Sequence, residues 1–394
     1  MLLRRSLVAA GALAGLGVGT LEARYRRHPG NDLSFTNEAW SVERKAPEHL
    51  RFGARVIVHN EVFRREVMLA DARAEARLLS AADVDDLQIQ ARVHSGDTRY
   101  PPRPDGFWVA FAVKPGKYGK DSPLDVSVDV TGPSPALDEL YGAWVRIDLL
   151  TYGFEGNRRR AHHLMFPLTQ PDPADAPSWR ELQNVEASVR PIRTHLLGPF
   201  DDPVEIVRRY AVPHAARGDI VTLCESPLAA MQGRFYDPAQ LKPAWAATRL
   251  AQFMSGEGSL GTATGMQTLV NEAGALRVFG ALVGGAAAKV AGRAGWFYRL
   301  AGPQARLIDD LPENIPPYDK FILDGPAEAD EVCAGITQGT GLAAAIVDAN
   351  NLGKVDVIGR TPGVSDLLVK EALRSNPAGN ADESTPLVLI RPKR

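Results

Sequence analysis

The stretch AAAIVDANNLGKVDVIG, residues 343–359, contains two short apolar runs separated by polar turn residues. The first run, which ends at Val347, predicts a buried strand, and the alternation after the turn predicts a second strand. Asn and Asp tolerate left-handed backbone and bond their own main chain, so Asn350 and Asn351 favour a hairpin turn. Asp348 leaves a second interpretation open, because α/β proteins place metal and phosphate ligands where strands end. From this stretch alone we favour the turn.

The chain has 394 residues, of which 45% are hydrophobic and 23% charged, and its formal net charge is -2. This length predicts two domains with extensions rather than one core. The composition lacks the basic excess that binds phosphate backbones, so we expect no nucleic-acid partner. Cys224 and Cys333 have neither CxxC spacing nor a neighbouring histidine cluster, so we expect neither a disulfide framework nor a structural zinc site.

An uncharged apolar run separates two arginine clusters at the N-terminus, in MLLRRSLVAAGALAGLGVGTLEARYRR, residues 1–27. Its extent, Ser6 to Leu21, suits a signal-peptide core or a short spanning helix. Leu21-Glu22-Ala23 is a poor cleavage site, so an uncleaved membrane anchor or signal-anchor is favoured. More arginines follow the run than precede it, which predicts a membrane-anchored protein with a cytoplasmic soluble body.

Several short bursts of alternating apolar residues, rich in Val, Phe and Trp, occur between about residues 31 and 171. Turn residues separate them, as expected for the strands of a β-sandwich. The stretch QPDPADAP, residues 170–177, marks a domain boundary, and helical and strand patterns alternate beyond it. We therefore predict an α+β fold with an N-terminal membrane anchor (1–27), a β-rich sandwich-like domain (28–172) and a mixed α/β domain (185–394).

The segment RVFGALVGGAAAKVAGRAGWFYRLAG, residues 277–302, has an apolar core before Lys289 that is too short to span a bilayer. The spacing Gly280-x-x-x-Gly284 permits close helix packing but is weak evidence in so short an apolar segment. We predict a buried helix here, and an interfacial helix is the alternative.

Acidic or amide side chains follow three apolar strands in the C-terminal half. They are Glu225 with Ser226, Asp309 with Asp310, and Asp348 with Asn350. Carboxylate oxygens suit Mg²⁺ or Mn²⁺, and acidic residues at neighbouring strand ends can converge on one cation. Taken singly, each is more often a helix cap or a turn residue.

The order of several segments resembles the gamma-glutamyl ligase family of the deazaflavin coenzyme F-420. The segments are, in order, PIRTHLLGPFDDPVEIV, GDIVTLCESPLAAMQGR, LIDD, FILDGPAEADEV, GLAAAIVDANN and NPAGNADESTPLVLIR. The resemblance extends over residues 189–391 and is interrupted by an unusual insertion near 236–304. With the anchor and the sandwich included, the whole chain resembles the membrane-anchored, cyanobacterial-type members of that family.

The resemblance implies a ligase-like domain at 185–394 that uses GTP or ATP as cosubstrate and Mg²⁺ or Mn²⁺ as cofactor. The implied metal ligands are Asp309 and Asp348. The implied cofactor-binding residues are Pro191, Ile192, Thr194, Ser226, Asn350, Gly379, Asn380, Asp382 and Thr385. Arg193 and Arg234 are the implied catalytic residues, because an arginine can offset the charge of a transferring phosphoryl group.

Three positions depart from the family pattern. Ala230 stands in place of a lysine, Leu311-Pro312 in place of Ser-Asn after the first aspartate, and Ala349 in place of a threonine after the second. Losing one transition-state donor costs about 2.7–4 kcal/mol, so the missing lysine predicts a slow enzyme unless an arginine substitutes. Water can replace the missing threonine oxygen around Mg²⁺.

Two functions remain as hypotheses. In the first, the protein is an amide ligase that activates a carboxylate as an acyl phosphate and joins glutamate or a related amine to it. Its partners would be a small-molecule acceptor, an amino acid and, through residues 1–27, a membrane. In the second, it is a non-catalytic membrane-anchored protein that keeps the ligase fold and binds a ligand or partner. A structural envelope protein is a weaker third alternative, and a homodimer that completes the site stays open.

Overall fold

The structure, a computed structural model, describes most of the chain. The described residues are 17–21, 33–61, 65–115, 122–154, 156–175, 177–183, 185–254, 259–293, 295–310, 316–379 and 383–393. The predicted anchor lies outside them apart from a helical turn at 17–21. The chain divides into two compact units, which are Met1–Ala76 with Asp85–Leu137 and Val145–His163, and Arg77–Val84 with Asp138–Trp144 and Leu164–Arg394.

The regular elements are mostly strands in the first half and mixed in the second. The strands are β1 (Leu33–Ala46), β2 (His49–Asn60), β3 (Val67–Ser80), β4 (Gln88–Ser95), β5 (Phe111–Val113), β6 (Ser122–Thr131), β7 (Leu140–Gly153), β8 (Gly156–Pro167), β9 (Arg180–Glu181), β10 (Ala187–Ile192), β11 (Ile220–Cys224), β12 (Phe235–Tyr236), β13 (Asp309–Asp310), β14 (Ile322–Leu323), β15 (Ala343–Ala349), β16 (Val355–Arg360) and β17 (Leu387–Pro392). The α-helices are α1 (Ser134–Asp138), α2 (Pro203–Ile206), α3 (Glu225–Met231), α4 (Trp245–Ala251), α5 (Ala263–Ala273), α6 (Ala275–Val290), α7 (Trp296–Ala301), α8 (Ala329–Thr340) and α9 (Asp366–Leu373). Short 3-10 or π turns lie at Val207–Ala211, Val212–His214, Ser259–Gly261, Pro303–Arg306 and Tyr318–Lys320.

The N-terminal region is built from two four-stranded sheets, with strand orders β1-β2-β6-β4 and β5-β3-β7-β8. Strand β6 shows why these segments form strands, because every second residue is buried and the residues between are not. Gly53 allows β2 to approach β6 closely, since a Cβ at this position would lie 2.3 Å from the Val126 carbonyl oxygen. The prediction of a β-sandwich followed by a mixed α/β region is confirmed.

The second unit is centred on a six-stranded sheet with the order β16-β15-β11-β17-β10-β9. Strands β11 and β15 are parallel, whereas β17 is antiparallel to both β11 and β10. Apolar side chains cover both faces of this sheet, with α8 packed on one face and α9 on the other. Burial on both faces explains why β11 and β15 are continuous apolar runs rather than alternating ones.

A hairpin turn joins β15 to β16, as the opening stretch predicts. The Asn350 side chain accepts hydrogen bonds from the main-chain N–H groups of Leu352 and Lys354, at 3.0 and 3.1 Å. Gly353 adopts a φ of 78°, which glycine tolerates without a steric penalty. The turn interpretation is therefore confirmed, and Asp348 lies within the strand that precedes it.

Helices α4 to α7 form an apolar core of their own together with Ile308 and Ile322, in the region of the predicted insertion. The buried-helix prediction is wrong for α6, because only Val278 and Ala281 are buried in it. The helix is apolar on two opposite faces, and composition alone does not reveal which face has a partner. Among the described helices none is by itself long and apolar enough to cross a membrane, whereas α5 and α6 meet the length and hydropathy requirements only as a pair bent by 111°.

The buried carboxylate of Asp219 forms an ion pair with the partly exposed Arg391 and so connects the end of β17 to the turn before β11. Its carboxylate accepts hydrogen bonds from Nε and Nη2 of Arg391, at 2.9 and 2.7 Å, and from the Ala216 N–H at 2.8 Å. The guanidinium also lies over the Trp179 ring, 4.0 Å from its centroid. Every oxygen of this buried carboxylate is therefore hydrogen-bonded.

Replacing Arg391 with Met should lower the free energy of unfolding by about 1.5–3 kcal/mol, because the Asp219 carboxylate stays buried and loses its charged donors. Urea unfolding at neutral pH measures this change. Lys393→Met is the matched control, since the Lys393–Glu181 pair at 2.8 Å is exposed to water and should contribute nothing measurable. Equal destabilisation by the two substitutions would contradict the role given to Asp219.

Candidate functional site

One edge of the six-stranded sheet collects most of the predicted site residues. At this edge, which we call the site edge, β10, β11 and β15 end and β17 begins, because Leu387 is opposite both Ile192 and Leu223. Three main-chain segments are joined there by hydrogen bonds from Thr194 N to Ser384 O at 2.9 Å and from Cys224 N to Pro386 O at 3.0 Å. Loops that are far apart in the sequence are thus held side by side.

The predicted nucleotide-contacting residues differ in their exposure. At the end of β10 and in the turn that follows it, Pro191, Ile192 and Thr194 are buried and Arg193 is exposed. Ser226, Asn350 and Gly379 are half-buried, and Thr385 is buried, with its hydroxyl donating to the Ala378 carbonyl at 2.6 Å. Asn380 and Asp382 lie outside the described residues. A ligand at the site edge could therefore reach the Arg193 side chain, whereas its buried neighbours support the turn.

Sheet register places three carboxylates together at the site edge. Cys224 is opposite Val347 in the parallel β11–β15 ladder, so Glu225, the first residue after β11, lies beside Asp348 near the end of β15. Asp356 on β16 is directly opposite Asp348. Lys354 lies between the last two, with Nζ 2.9 Å from an Asp356 oxygen and 3.8 Å from an Asp348 oxygen.

Glu225 has the least favourable environment of these carboxylates. Burial raises its pKa well above the usual value, and repulsion from Asp348 and Asp309 raises it further. Its Oε2 atom is buried without a hydrogen-bond partner among the described residues. Burial also raises the pKa of Asp348, against the opposing effect of Lys354. Asp309 and Asp348, the two predicted metal ligands, therefore both raise the pKa of Glu225 by electrostatic repulsion.

The chemistry of these side chains fits a hard divalent cation. Glu225, Asp309 and Asp348 supply carboxylate oxygens, which Mg²⁺ and Mn²⁺ prefer as ligands. The Glu225 oxygen that has no hydrogen-bond partner among the described residues is available to bind a cation. Within the described part of the chain, no group of three or more His, Cys, Asp or Glu side chains is arranged to hold an ion. The side chain of Asp310 is not among those that the structure describes. The metal site stays a prediction.

The thiol beside this cluster is not a candidate nucleophile. Burial raises the pKa of Cys224 to about 12, and the charges of Glu225 and Asp348 add to the effect. A thiolate is the reactive form of cysteine, so this thiol is inert at neutral pH.

Arg234, the second predicted catalytic residue, is held by protein groups. Its Nη2 atom lies 2.6 Å from an Asp324 oxygen and 3.2 Å from a Glu272 oxygen, and its Nε donates to the Gly325 carbonyl at 2.6 Å. Its charge is thus compensated within the protein. Ala230, at the position of the missing lysine, is buried in an apolar cluster with Phe321.

A buried polar network supports the loop that follows β10. The two ring nitrogens of His195 lie 2.7 Å from the Tyr210 hydroxyl and 2.9 Å from an Asp201 oxygen. The other Asp201 oxygen accepts from the Gly198 N–H at 2.8 Å. Because this network is buried directly after Arg193 and Thr194, it fixes the turn that carries them.

Sequence reasoning missed Lys354 and Asp356 as parts of the site. The signal was present, because a hairpin turn centred on Asn350 brings the start of β16 back to Asp348. The His195 network gave no such signal, since its three members are polar residues scattered through a loop and a helix.

Residues 34–170 match a family model described as F-420-0:gamma-glutamyl ligase, N-terminal Ig-like domain. The sandwich is thus similar to the N-terminal Ig-like domain of that ligase family. No curated protein matches the chain in sequence. Among solved structures, the GAE domain of yeast GGA1 is 8% identical, with 35% of this chain and 93% of that chain covered and a TM-score of 0.20. A FixG-related protein from Vibrio parahaemolyticus is 16% identical, with 35% and 95% covered and a TM-score of 0.17.

The family match covers the Ig-like domain, whereas the site edge belongs to residues 187–392. The match therefore concerns the N-terminal domain alone. Any activity of the second unit has to be argued from the residues of that unit.

The Arg234 cluster predicts a pH dependence of stability. Burial, and then a hydrogen bond shared with Glu272, raises the pKa of Asp324 to about 7 from 3.8. The native state keeps this proton where the unfolded chain has lost it, so the stabilising contribution is complete below the unfolded pKa and is lost as pH rises through about 7. Unfolding by urea at a series of pH values should show wild type losing stability relative to Asp324→Asn across this interval. Parallel pH profiles for the two proteins would contradict the assignment.

Proposed function

We propose that the protein is a nucleotide- and divalent-metal-dependent amide ligase that joins glutamate or a related amine to a carboxylate through an acyl phosphate. The observation that carries this proposal is the site edge, because β15, β11, β17 and β10 are neighbours in one sheet. Arg193 follows β10, Ser226 lies just after β11, Asp348 is near the end of β15, and a loop precedes β17. The Ig-like domain supports it, because the matching family model is named for a gamma-glutamyl ligase.

The described side chains suggest which residues would bind the nucleotide and which would bind the metal. Arg193 is exposed at the site edge and would bind a phosphate group of GTP or ATP. Glu225, Asp309 and Asp348 would hold Mg²⁺ or Mn²⁺, which when bound would neutralise charge on the transferring phosphoryl group. Lys354 is a further cation within reach of the same carboxylates. It would offset part of the negative charge that the phosphates bring.

Attachment to a membrane through residues 1–27, with the body on the cytoplasmic side, is part of the proposal. It rests on the apolar run and on the distribution of arginines around it.

A non-catalytic binding protein is the second candidate, and two observations favour it. Arg234 is compensated by Asp324 and Glu272, and the position of the family lysine, Ala230, is buried in an apolar cluster. A protein of this kind would bind nucleotide or another ligand at the site edge without turnover.

The first test is thermal unfolding of the full-length protein with GTP or ATP and Mn²⁺. Ligand at a hundred times its dissociation constant should stabilise the protein by about 2.7 kcal/mol, which is a shift of roughly 5–10 °C in the Tm of the transition in which the second unit unfolds. The double variant Asp309→Asn with Asp348→Asn should lose the metal-dependent part of this shift. Asp172→Asn with Asp175→Asn, in the linker, is the matched control for the change of charge and should keep the shift.

Nucleotide-dependent incorporation of glutamate into a carboxylate acceptor then separates the two candidate functions. Turnover that disappears in the Asp309 and Asp348 variant supports the ligase. A nucleotide-induced shift in Tm without turnover supports the binding protein. Unchanged turnover in the double variant would rule out these aspartates as metal ligands.

A further inference from the structure

Helix α6 has two apolar faces, and only one of them packs against the protein. The inner face carries Val278 and Ala281, which belong to the core of the inserted helices. The opposite face is solvent-exposed, with 90% of Leu276, 57% of Phe279, 56% of Val283 and 92% of Val290 accessible. An isolated exposed apolar residue needs no explanation, but an aligned row of them does.

The exposed side chains form one continuous row. At 3.6 residues per turn, the positions from Leu276 to Val290 on this face cover an arc of about 120°. We call this row the α6 stripe; its members are Leu276, Phe279, Gly280, Val283, Ala286, Ala287 and Val290. Every member is apolar or glycine, so the stripe is as uniform as a face that packs into a core.

The segment of chain that carries the stripe is strongly basic. Residues 273–306 contain no Asp or Glu, and their cations are Arg277, Lys289, Arg293, Arg299 and Arg306. All of these cations are exposed, although the whole chain has a net charge of -2. On α6 itself, Arg277 and Lys289 lie on either side of the stripe. A partner surface must therefore be apolar at its centre and anionic around it.

The glycines of α6 do not indicate a helical partner on the stripe. A Cβ at Gly284 would lie 2.7 Å from Leu300 Cδ1, and a Cβ at Gly285 would lie 2.9 Å from the Phe297 main chain. These glycines therefore allow α7 to pack closely on α6. A second copy is also a poor partner, because a twofold contact would place the same cations opposite one another.

We propose that the α6 stripe inserts into the interfacial region of a lipid bilayer that contains anionic headgroups, with α6 parallel to the membrane plane. A basic helix with an exposed apolar face has the pattern of an interfacial membrane helix. Trp245 and Phe253, in and just after the neighbouring α4, are 75% and 73% exposed, and such aromatic side chains favour the membrane interface. This contact is separate from the predicted anchor in residues 1–27.

A fluorescent probe in the stripe tests the proposal in the full-length chain. Phe279→Cys carries an environment-sensitive fluorophore, and the protein is bound to vesicles of phosphatidylcholine with or without phosphatidylglycerol. Insertion predicts a blue shift of the emission with phosphatidylglycerol and quenching by nitroxide-labelled lipid. Phe107→Cys is the matched control, because Phe107 is similarly exposed, at 72%, but lies outside the inserted helices. Its probe should stay in water, and the unsubstituted chain serves as the labelling blank.

The outcomes separate insertion from simple tethering. A protein that floats with vesicles while its Phe279 probe stays in water would overturn the proposal, since the N-terminal segment alone would explain binding. A blue shift that requires high protein concentration and no lipid would also overturn it, in favour of a second copy. Equal insertion into neutral vesicles would overturn the anionic headgroup assignment. Loss of insertion in the double variant Lys289→Gln with Arg293→Gln, in which both replaced residues are exposed, would support the anionic headgroup assignment.

Discussion

The in-register parallel pairing of β11 and β15 is the constraint on which the second unit depends. Both strands are buried on two faces, so charged side chains are tolerated only where the strands leave the sheet. The pairing of Cys224 with Val347 then places Glu225 beside Asp348. A bulge at the level of Ile346 and Val347 shifts the register of β16, and Asp356 comes to lie opposite Asp348. The carboxylates gather because of the geometry of the sheet.

Two buried carboxyl groups of this unit have opposite surroundings. Asp219 accepts two hydrogen bonds from Arg391 and one from the main chain, which is the arrangement of a group that stabilises a fold. Glu225 has an oxygen without a partner among the described residues and is repelled by neighbouring carboxylates. Folding alone gives no reason to keep Glu225 there, because a neutral residue would be more stable. Carboxyl groups with perturbed pKa values and unpaired oxygens cluster at functional sites.

The sequence predicted the features that depend on local pattern. The strand Ile220–Cys224, the turn at Asn350 and the alternation of the Ig-like domain follow from side-chain period and turn chemistry. It could not predict the Arg234–Asp324 pair, because those residues are far apart in the chain and meet only through the packing of β12 against β14. The prediction of a buried helix was wrong for α6, because the sequence of a helix with two apolar faces does not show whether the second face is covered.

The contact between Arg234 and Glu272 bears on which cations are left to act at the site edge. Glu272 belongs to α5, so its contact with Arg234 joins helices α4 to α7 to the turn after α3. An arginine that fixes the insertion is not free to follow a phosphate group. Arg193 is then the exposed arginine of the predicted pair, and Lys354 is the lysine that meets the site-edge carboxylates. Among the described residues, Arg193 and Lys354 are therefore cations that lie at the site edge without the Asp324 and Glu272 contacts that hold Arg234.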